Sequence, residues 1–231
     1  MILEGQRALV TGGAVRIGRA ITEALQAEGA EVIVHFQGSE EEANTLSPKT
    51  IQADLADPAQ CETLMQRASE QFGKIDVLIN NAAVFYPTRL ADATHELTLK
   101  ELQINLLAPL ALTRGFAQQT QAGKIINLLD RRITGHDTSC VPYMLSKKGL
   151  EELTQLSALD LAPGITVNAV APGAVLPPPD KESDTAWEPA GTTPLKKRPT
   201  PADIADAVLY LLKADSITGQ TLFIDGGQNL L

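Results

Sequence analysis

A chain of 231 residues is long enough for one large α/β domain with a full core and short for two, so a single domain over residues 1–231 is the expectation. Its formal net charge of -9, with lysines and arginines scattered along the chain, argues against a nucleic-acid surface and for a small-molecule protein. Cys61 and Cys140 lie far apart and outside metal-ligand spacing, and no apolar run is long enough to span a bilayer, so a reduced, cytoplasmic protein without a structural metal is expected.

The first strand is predicted over Ala8–Val10, then TGGAVRIG, then an amphipathic helix over Arg16–Glu28. A second strand, Val32–Phe36, is followed by SEEEANTL, which suits only a short helix, and by a third strand over Thr50–Ala53. Gln60–Phe72 reads as a helix and Ile75–Ile79 as a strand. Leu97–Gln119 could form one long helix that Pro109 kinks. The strand Lys124–Leu129 ends at Asp130, a helix carries Tyr143 and Lys147, and further strands are read at Ile165–Val170 and Thr221–Ile224. Residues 174–200, with PPPD, Trp187 and TPLKKRPTP, are too long for an ordinary connection and are read as a substrate loop. Strands alternating with helices imply right-handed βαβ units. The expected fold is a Rossmann-type, doubly wound parallel sheet of about seven strands with helices on both faces.

Gly12 and Gly18 sit where a helix follows the first strand. Backbone N–H groups there can hold a pyrophosphate, although structural turns use glycine too. An acid at the end of the second strand would hold an adenosine ribose and repel a 2′-phosphate. That end reads His35, Phe36, Gln37, Gly38, with Ser39 able to donate to phosphate and Arg16 in the glycine loop, so NADPH is favoured over NADH. His35 could equally be a satisfied, partly buried histidine, and Phe36 a core or adenine-side packing residue. Tyr143 and Lys147, four apart on one helix, share a face, so an ammonium can stabilise a phenolate; an exposed helix pair is the plainer alternative.

TGGAVRIG, Asn80-Asn81-Ala82-Ala83, Asn105, the Tyr143/Lys147 pair and Pro172-Gly173 together resemble the short-chain dehydrogenase/reductase family over essentially the whole chain. The resemblance implies that Tyr143 donates the proton, that Lys147 lowers the tyrosine's pKa and holds the nicotinamide ribose, and that Asn105 maintains a water relay. It also implies a cofactor site made by Gly12, Arg16, Ile17, Gly18, Asp54, Leu55, Asn81, Ala82, Pro172 and Gly173, with Asp54-Leu55 at the adenine. Such relatives are commonly homotetramers.

Two departures from the family pattern concern the substrate. Arg16 stands where the family has glycine, and Asp130 stands where its catalytic serine precedes the tyrosine. Both, with NNAAVFYPT and TAWEP, resemble the pteridine reductases within the family. That implies Arg16 near phosphates and pterin, Phe85 stacking the pterin against the nicotinamide, and Asp130 and Tyr143 binding and protonating the ring. Val15, Ala83 and Gly38 replace a lysine, a serine and an arginine of that pattern.

Chemistry gives the carboxylate a reason to be there. A ketone reductase develops negative charge on oxygen, which a carboxylate repels. A ring C=N accepts hydride at carbon and a proton at nitrogen, while amino and N–H groups beside it can donate to Asp130. The turn-forming role of strand-end Asp residues is the alternative. Trp187 could be a lid or only a loop anchor, Phe85 could be core packing, and Cys140 and His136 are read as structural. Arg131 and Arg132 are read as solvated or as meeting another subunit. The expected activity is reduction of a dihydropterin or dihydrofolate-type ring. The rivals are a carbonyl or 3-oxoacyl-thioester reductase and a noncatalytic nucleotide sensor.

Overall fold

The computed structural model describes residues 3–177 and 193–231. Seven strands form one parallel sheet: β1 (Arg7–Val10), β2 (Glu31–Phe36), β3 (Thr50–Gln52), β4 (Val77–Asn80), β5 (Gly123–Leu128), β6 (Ile165–Pro172) and β7 (Thr221–Ile224). Their order is β3-β2-β1-β4-β5-β6-β7. The chain therefore winds outward from β1 in one direction and from β4 in the other, and a crevice opens between them at the carboxyl ends of the strands.

Alternation along each strand divides the core in two. Ala8, Val10, Val32, Val34, Val77, Ile79, Ile126 and Leu128 face one layer, against helices α1 (Arg16–Ala27) and α7 (Pro201–Lys213). Leu9, Ile33, Leu78 and Ile125 face the other, against α3 (Pro58–Phe72) and the helices that follow β4. α2 (Glu40–Leu46) is the short helix expected between the second and third strands, and α6 (Val141–Asp160) carries Tyr143 and Lys147. None of the described helices is long and apolar enough to cross a membrane.

The long helix after β4 departs from expectation in an informative way. Its break does not lie at Pro109. α4 (His95–Leu102) runs into a π-turn at Gln103–Leu107 and then into α5 (Ala108–Gln119), with Pro109 in the first turn of α5. Proline has no N–H, so in α-helical register the carbonyl of Asn105, four residues earlier, would lose its partner. The irregularity therefore falls upstream of the proline. There the wider turn closes from the Ala108 N–H to the Gln103 carbonyl, and it contains Asn105.

Of the segment read as a substrate loop, Trp187 lies outside the described residues. The described part returns at Thr193, where a turn through Lys196 packs its Leu195 N–H onto the Gly226 carbonyl, before Thr200 caps α7 with a reciprocal hydrogen-bond pair to Asp203.

Candidate active site

The glycine loop after β1 is shaped by close approach. A Cβ at Gly18 would run into the carbonyl of Gly12 and reach 2.7 Å from Asn81 Nδ2, so no larger residue fits. Gly12 itself has φ +59, and its N–H donates over 3.1 Å to Nδ1 of His35. The other ring nitrogen of His35 lies 3.2 Å from the Ala53 carbonyl. Because Nδ1 must accept, Nε2 carries the proton, and the neutral ring clips the glycine loop to the end of β3. Burial pushes its pKa down to about 4. Of the two alternatives left open for His35, the structure gives the satisfied one, and the residue is fully buried.

A cleft of about 380 Å³ opens over this loop, lined by Gly12, Val15, Arg16, Ile17, Gly18, His35, Gln37, Asp54, Leu55 and residues 81–84. It brings together most of the residues assigned to a cofactor from the sequence. Phe36 is not among them: strand alternation turns it opposite to His35, into the core beside Val32 and Val34. Ser39 stands at the start of α2, makes no capping hydrogen bond and does not line the cleft. Pro172 and Gly173 also lie off this lining. Gly173 donates to the Ile224 carbonyl over 2.9 Å, and a Cβ there would come within 2.9 Å of Asp225, so its glycine serves packing against β7. Asn81 borders the cleft, but its amide is occupied by the carbonyls of Thr11 and Gly12 at 2.9 and 3.1 Å. Thr11, not singled out in the sequence, accepts at its hydroxyl from the N–H groups of Asn81 and Ala82. It locks the turn after β4 to the turn after β1.

Arg16 takes the glycine position of the family pattern and also the glycine conformation, φ +55. Holding a side chain in the left-handed region costs about 1–2 kcal/mol. Its guanidinium donates over 2.6 Å to the carbonyl of Pro177, tying the glycine loop to the segment beyond β6.

Asp130 makes two contacts, one with the turn that follows it and one with Tyr143. One carboxylate oxygen accepts from the Arg132 N–H at 2.8 Å and caps the short 3-10 turn Arg131–Thr134, as a turn-forming aspartate would. The other accepts from the hydroxyl of Tyr143 at 3.1 Å. Tyr143 is buried, and burial together with the neighbouring Asp130 charge raises its pKa well above the ordinary value. The i,i+4 spacing places Tyr143 and Lys147 on one face, but the Lys147 ammonium lies 6.0 Å from the ring centroid and donates to the Leu128 carbonyl at 2.7 Å. Burial lowers the pKa of Lys147 itself to about 8, partly opposed by Asp130.

Phe85 stands edge-on to Tyr143, ring centroids 4.8 Å apart, and remains 43% exposed. The Arg132 guanidinium covers it at 5.2 Å. The extended loop that presents Phe85 is held by two residues of the helix below. Asn105 donates to the Val84 carbonyl and accepts from the Val84 N–H, both at 2.9 Å, and also donates to Ser146. Glu101, one turn earlier and fully buried, accepts from the Tyr86 N–H at 2.8 Å. The amide of Asn105, expected to serve a water relay, is thus occupied by loop backbone. Arg132, read from the sequence as solvated or as meeting another subunit, lies instead against Phe85 and Asp130, and Glu101 was not singled out at all, its available signal being its place four residues before Asn105. His136 is exposed, and Cys140, buried at the start of α6, packs in a small cluster with Tyr143 and Met144.

The family model described as enoyl-(acyl carrier protein) reductase matches residues 13–229. The chain is 33% identical to a putative ketoacyl reductase of the granaticin polyketide synthase of Streptomyces violaceoruber, covering 99% of this chain and 98% of that one. It is also 33% identical to pteridine reductase 1 of Leishmania tarentolae, covering 96% of each. Among solved structures, FolM alternative dihydrofolate reductase 1 from Brucella canis, complexed with NADP, superposes with a TM-score of 0.89 at 32% identity over 100% of this chain and 97% of the other.

Proposed function

The chain belongs to the short-chain dehydrogenase/reductase family of oxidoreductases, and from that membership we propose that it uses NADPH to reduce a C=N bond of a pterin or folate-type ring, from the dihydro to the tetrahydro form. The observation that carries the proposal is the Tyr143 hydroxyl donating to Asp130 at the end of β5. A carboxylate there repels the alkoxide that ketone reduction develops, but accepts from the amino and N–H groups of a pterin.

The cleft fits the cofactor. Its glycine loop admits no Cβ at Gly18, and neither Gln37 nor Gly38 after β2 brings a carboxylate against a 2′-phosphate. Gly12, Arg16, Ile17 and Gly18 would hold the pyrophosphate side, Asp54 and Leu55 the adenine, Ala82 and Lys147 the nicotinamide side. When bound, NADPH supplies the hydride. Tyr143, kept protonated by burial and by Asp130, holds a proton at the substrate position. Asp130 orients the ring by accepting its N–H donors and releases the tyrosine hydroxyl to face the ring nitrogen. Phe85 forms an exposed aromatic wall beside both.

Similarity to the Leishmania pteridine reductase and the Brucella enzyme supports this reading. Equal identity to the ketoacyl reductase keeps 3-oxoacyl-thioester reduction as a second reading, against which Asp130 speaks. NADPH oxidation followed with dihydrobiopterin, dihydrofolate and an acetoacetyl thioester separates them, turnover of the thioester alone reversing the assignment. We extend the proposal to a homotetramer, supported by exposed Leu110 on α5 and Leu156 and Leu159 on α6, and to a reducing, cytoplasmic compartment that suits the unbridged Cys61 and Cys140. Light scattering on the purified protein checks the assembly.

A further inference from the structure

We propose that Arg132 is a specificity-determining residue that fills the ring slot itself and that only a planar substrate bearing adjacent N–H donors displaces it. The inference rests on the ring-reduction reading and adds to it a residue that neither the family pattern nor the similarity to known enzymes assigns.

Three contacts define the position of its side chain. The guanidinium carbon lies 5.2 Å from the centre of the Phe85 ring. One terminal nitrogen reaches 3.6 Å from Asp130 Oδ2, the same oxygen that receives the Tyr143 hydroxyl. Nε stands 3.2 Å from Asp137 Oδ2. A guanidinium is a flat amidine-like unit, weakly hydrated, with N–H donors in its plane and a face that stacks on aromatic rings. The aminopyrimidine corner of a pterin has the same N–C(N)–N skeleton with its donors in the plane of the ring. Arg132 therefore occupies, within the protein, both places that the proposed reaction assigns to substrate: the face of Phe85, by a cation–π contact, and the neighbourhood of Asp130 Oδ2, by an ion pair.

The arrangement also supplies a way out. Asp137 is fixed by the Ser139 N–H at 2.9 Å and the Ser139 hydroxyl at 2.5 Å, so it remains an anchor after the Asp130 contact breaks. The Arg132 side chain is 30% exposed and has room to turn about that anchor. A dihydropterin replaces what Asp130 and Phe85 lose. An aliphatic oxo compound replaces neither, and so competes poorly with Arg132.

Arg132→Leu removes the occupant, and Arg132→Lys keeps the charge for Asp137 without the flat face. Since exposed cation–π and ion-pair contacts are each worth little, the expected effect is modest: the dihydropterin KM falls about three- to tenfold in Arg132→Leu and less in Arg132→Lys, with kcat within about twofold. Activity on an acetoacetyl thioester rises relative to dihydropterin in the same order. Calorimetric binding of 2-aminopyrimidine, which needs no turnover, strengthens in Arg132→Leu by the same factor. An unchanged or raised KM together with unchanged 2-aminopyrimidine affinity overturns the inference, because Arg132 is then a tether for the turn or a ligand of the substrate. Should the parent reduce no dihydropterin at all, the proposed reaction fails, and the 2-aminopyrimidine measurement alone still decides whether Arg132 occupies the slot.

Discussion

The hydroxyl of Tyr143 and the carboxylate of Asp130 share one hydrogen bond of 3.1 Å, and the same carboxylate caps the turn that follows β5. Asp130→Ser restores the hydroxyl that carbonyl reductases use and deletes the acceptor for ring N–H donors. Leaving those donors unpaired costs about 1–3 kcal/mol, so pterin efficiency is expected to fall roughly tenfold to more than a hundredfold. Asp130→Asn keeps an acceptor oxygen and the shape. It should lose turnover more than affinity, which steady-state kinetics on both variants reads directly. Parental rates in both would reduce Asp130 to its capping role.

Tyr143→Phe keeps the ring against Phe85 and removes the proton. Turnover is expected to drop about a hundredfold or more, while NADPH binding, followed by cofactor fluorescence, changes little.

NADPH should outperform NADH in kcat/KM by at least about tenfold, or ~1.4 kcal/mol. Gly38 offers a second arm. Nothing lies within 4 Å of a Cβ built there and its backbone is not left-handed, so Gly38→Arg is accommodated. A guanidinium at that point should widen the preference by about tenfold more through a charge-assisted contact to the 2′-phosphate. Equal efficiencies with the two cofactors would contradict the assignment.

His35 makes stability depend on pH. Folded, it titrates at about 4 against an ordinary value of 6.5. Above pH 6.5 both folded and unfolded chains carry it neutral. Between pH 6.5 and 4 the unfolded chain takes up a proton that the folded chain refuses, so stability falls as pH falls, by about 3 kcal/mol across the window. His35→Gln can still accept from Gly12 and donate to Ala53 without titrating. Urea unfolding of both proteins at pH 7 and 4.5 should show the parent losing about 2 kcal/mol more stability than the variant.

Glu101→Gln should leave unfolding free energy and pterin KM close to parental, because an amide oxygen still accepts from Tyr86. Glu101→Leu leaves that partly buried N–H unpartnered, at about 1–3 kcal/mol. With Phe85 no longer held in place, pterin KM should rise while NADPH affinity stays constant. A parallel loss of both affinities would mean global damage rather than misplacement of Phe85.

The parallel sheet was legible because buried strands and amphipathic helices differ in period, and Tyr143, Lys147 and Asp130 stood out because their spacing along one strand, turn and helix is local. What stayed hidden depends on contacts across the chain. The pairing of Asn105 with Val84 spans 21 residues and that of Glu101 with Tyr86 spans 15, and no periodicity announces a side chain that bonds loop backbone. Arg132 was obscured by Arg131 beside it, since two adjacent cations read as a solvated pair. His35 and Phe36 were separable in principle: neighbours on a strand face opposite sides, so both could not line one cleft.

The π-turn at Gln103–Leu107 inserts, in effect, one extra residue into a continuous helix. Each residue of an α-helix advances the azimuth by about 100°. Were the turn to revert to regular α-helix with all its residues kept, α4 would rotate by about that angle against α5. The apolar face of α5, with Ala111, Leu112 and Phe116, would stay on the sheet, while Glu101 would swing away from Tyr86. The bulge thus works as a phase-shifter, letting one rod present its greasy side to the sheet and a separate polar grip to the loop bearing Phe85. A one-residue insertion between Glu101 and Gln103, which turns α4 by that angle, should therefore uncouple folding from substrate recognition.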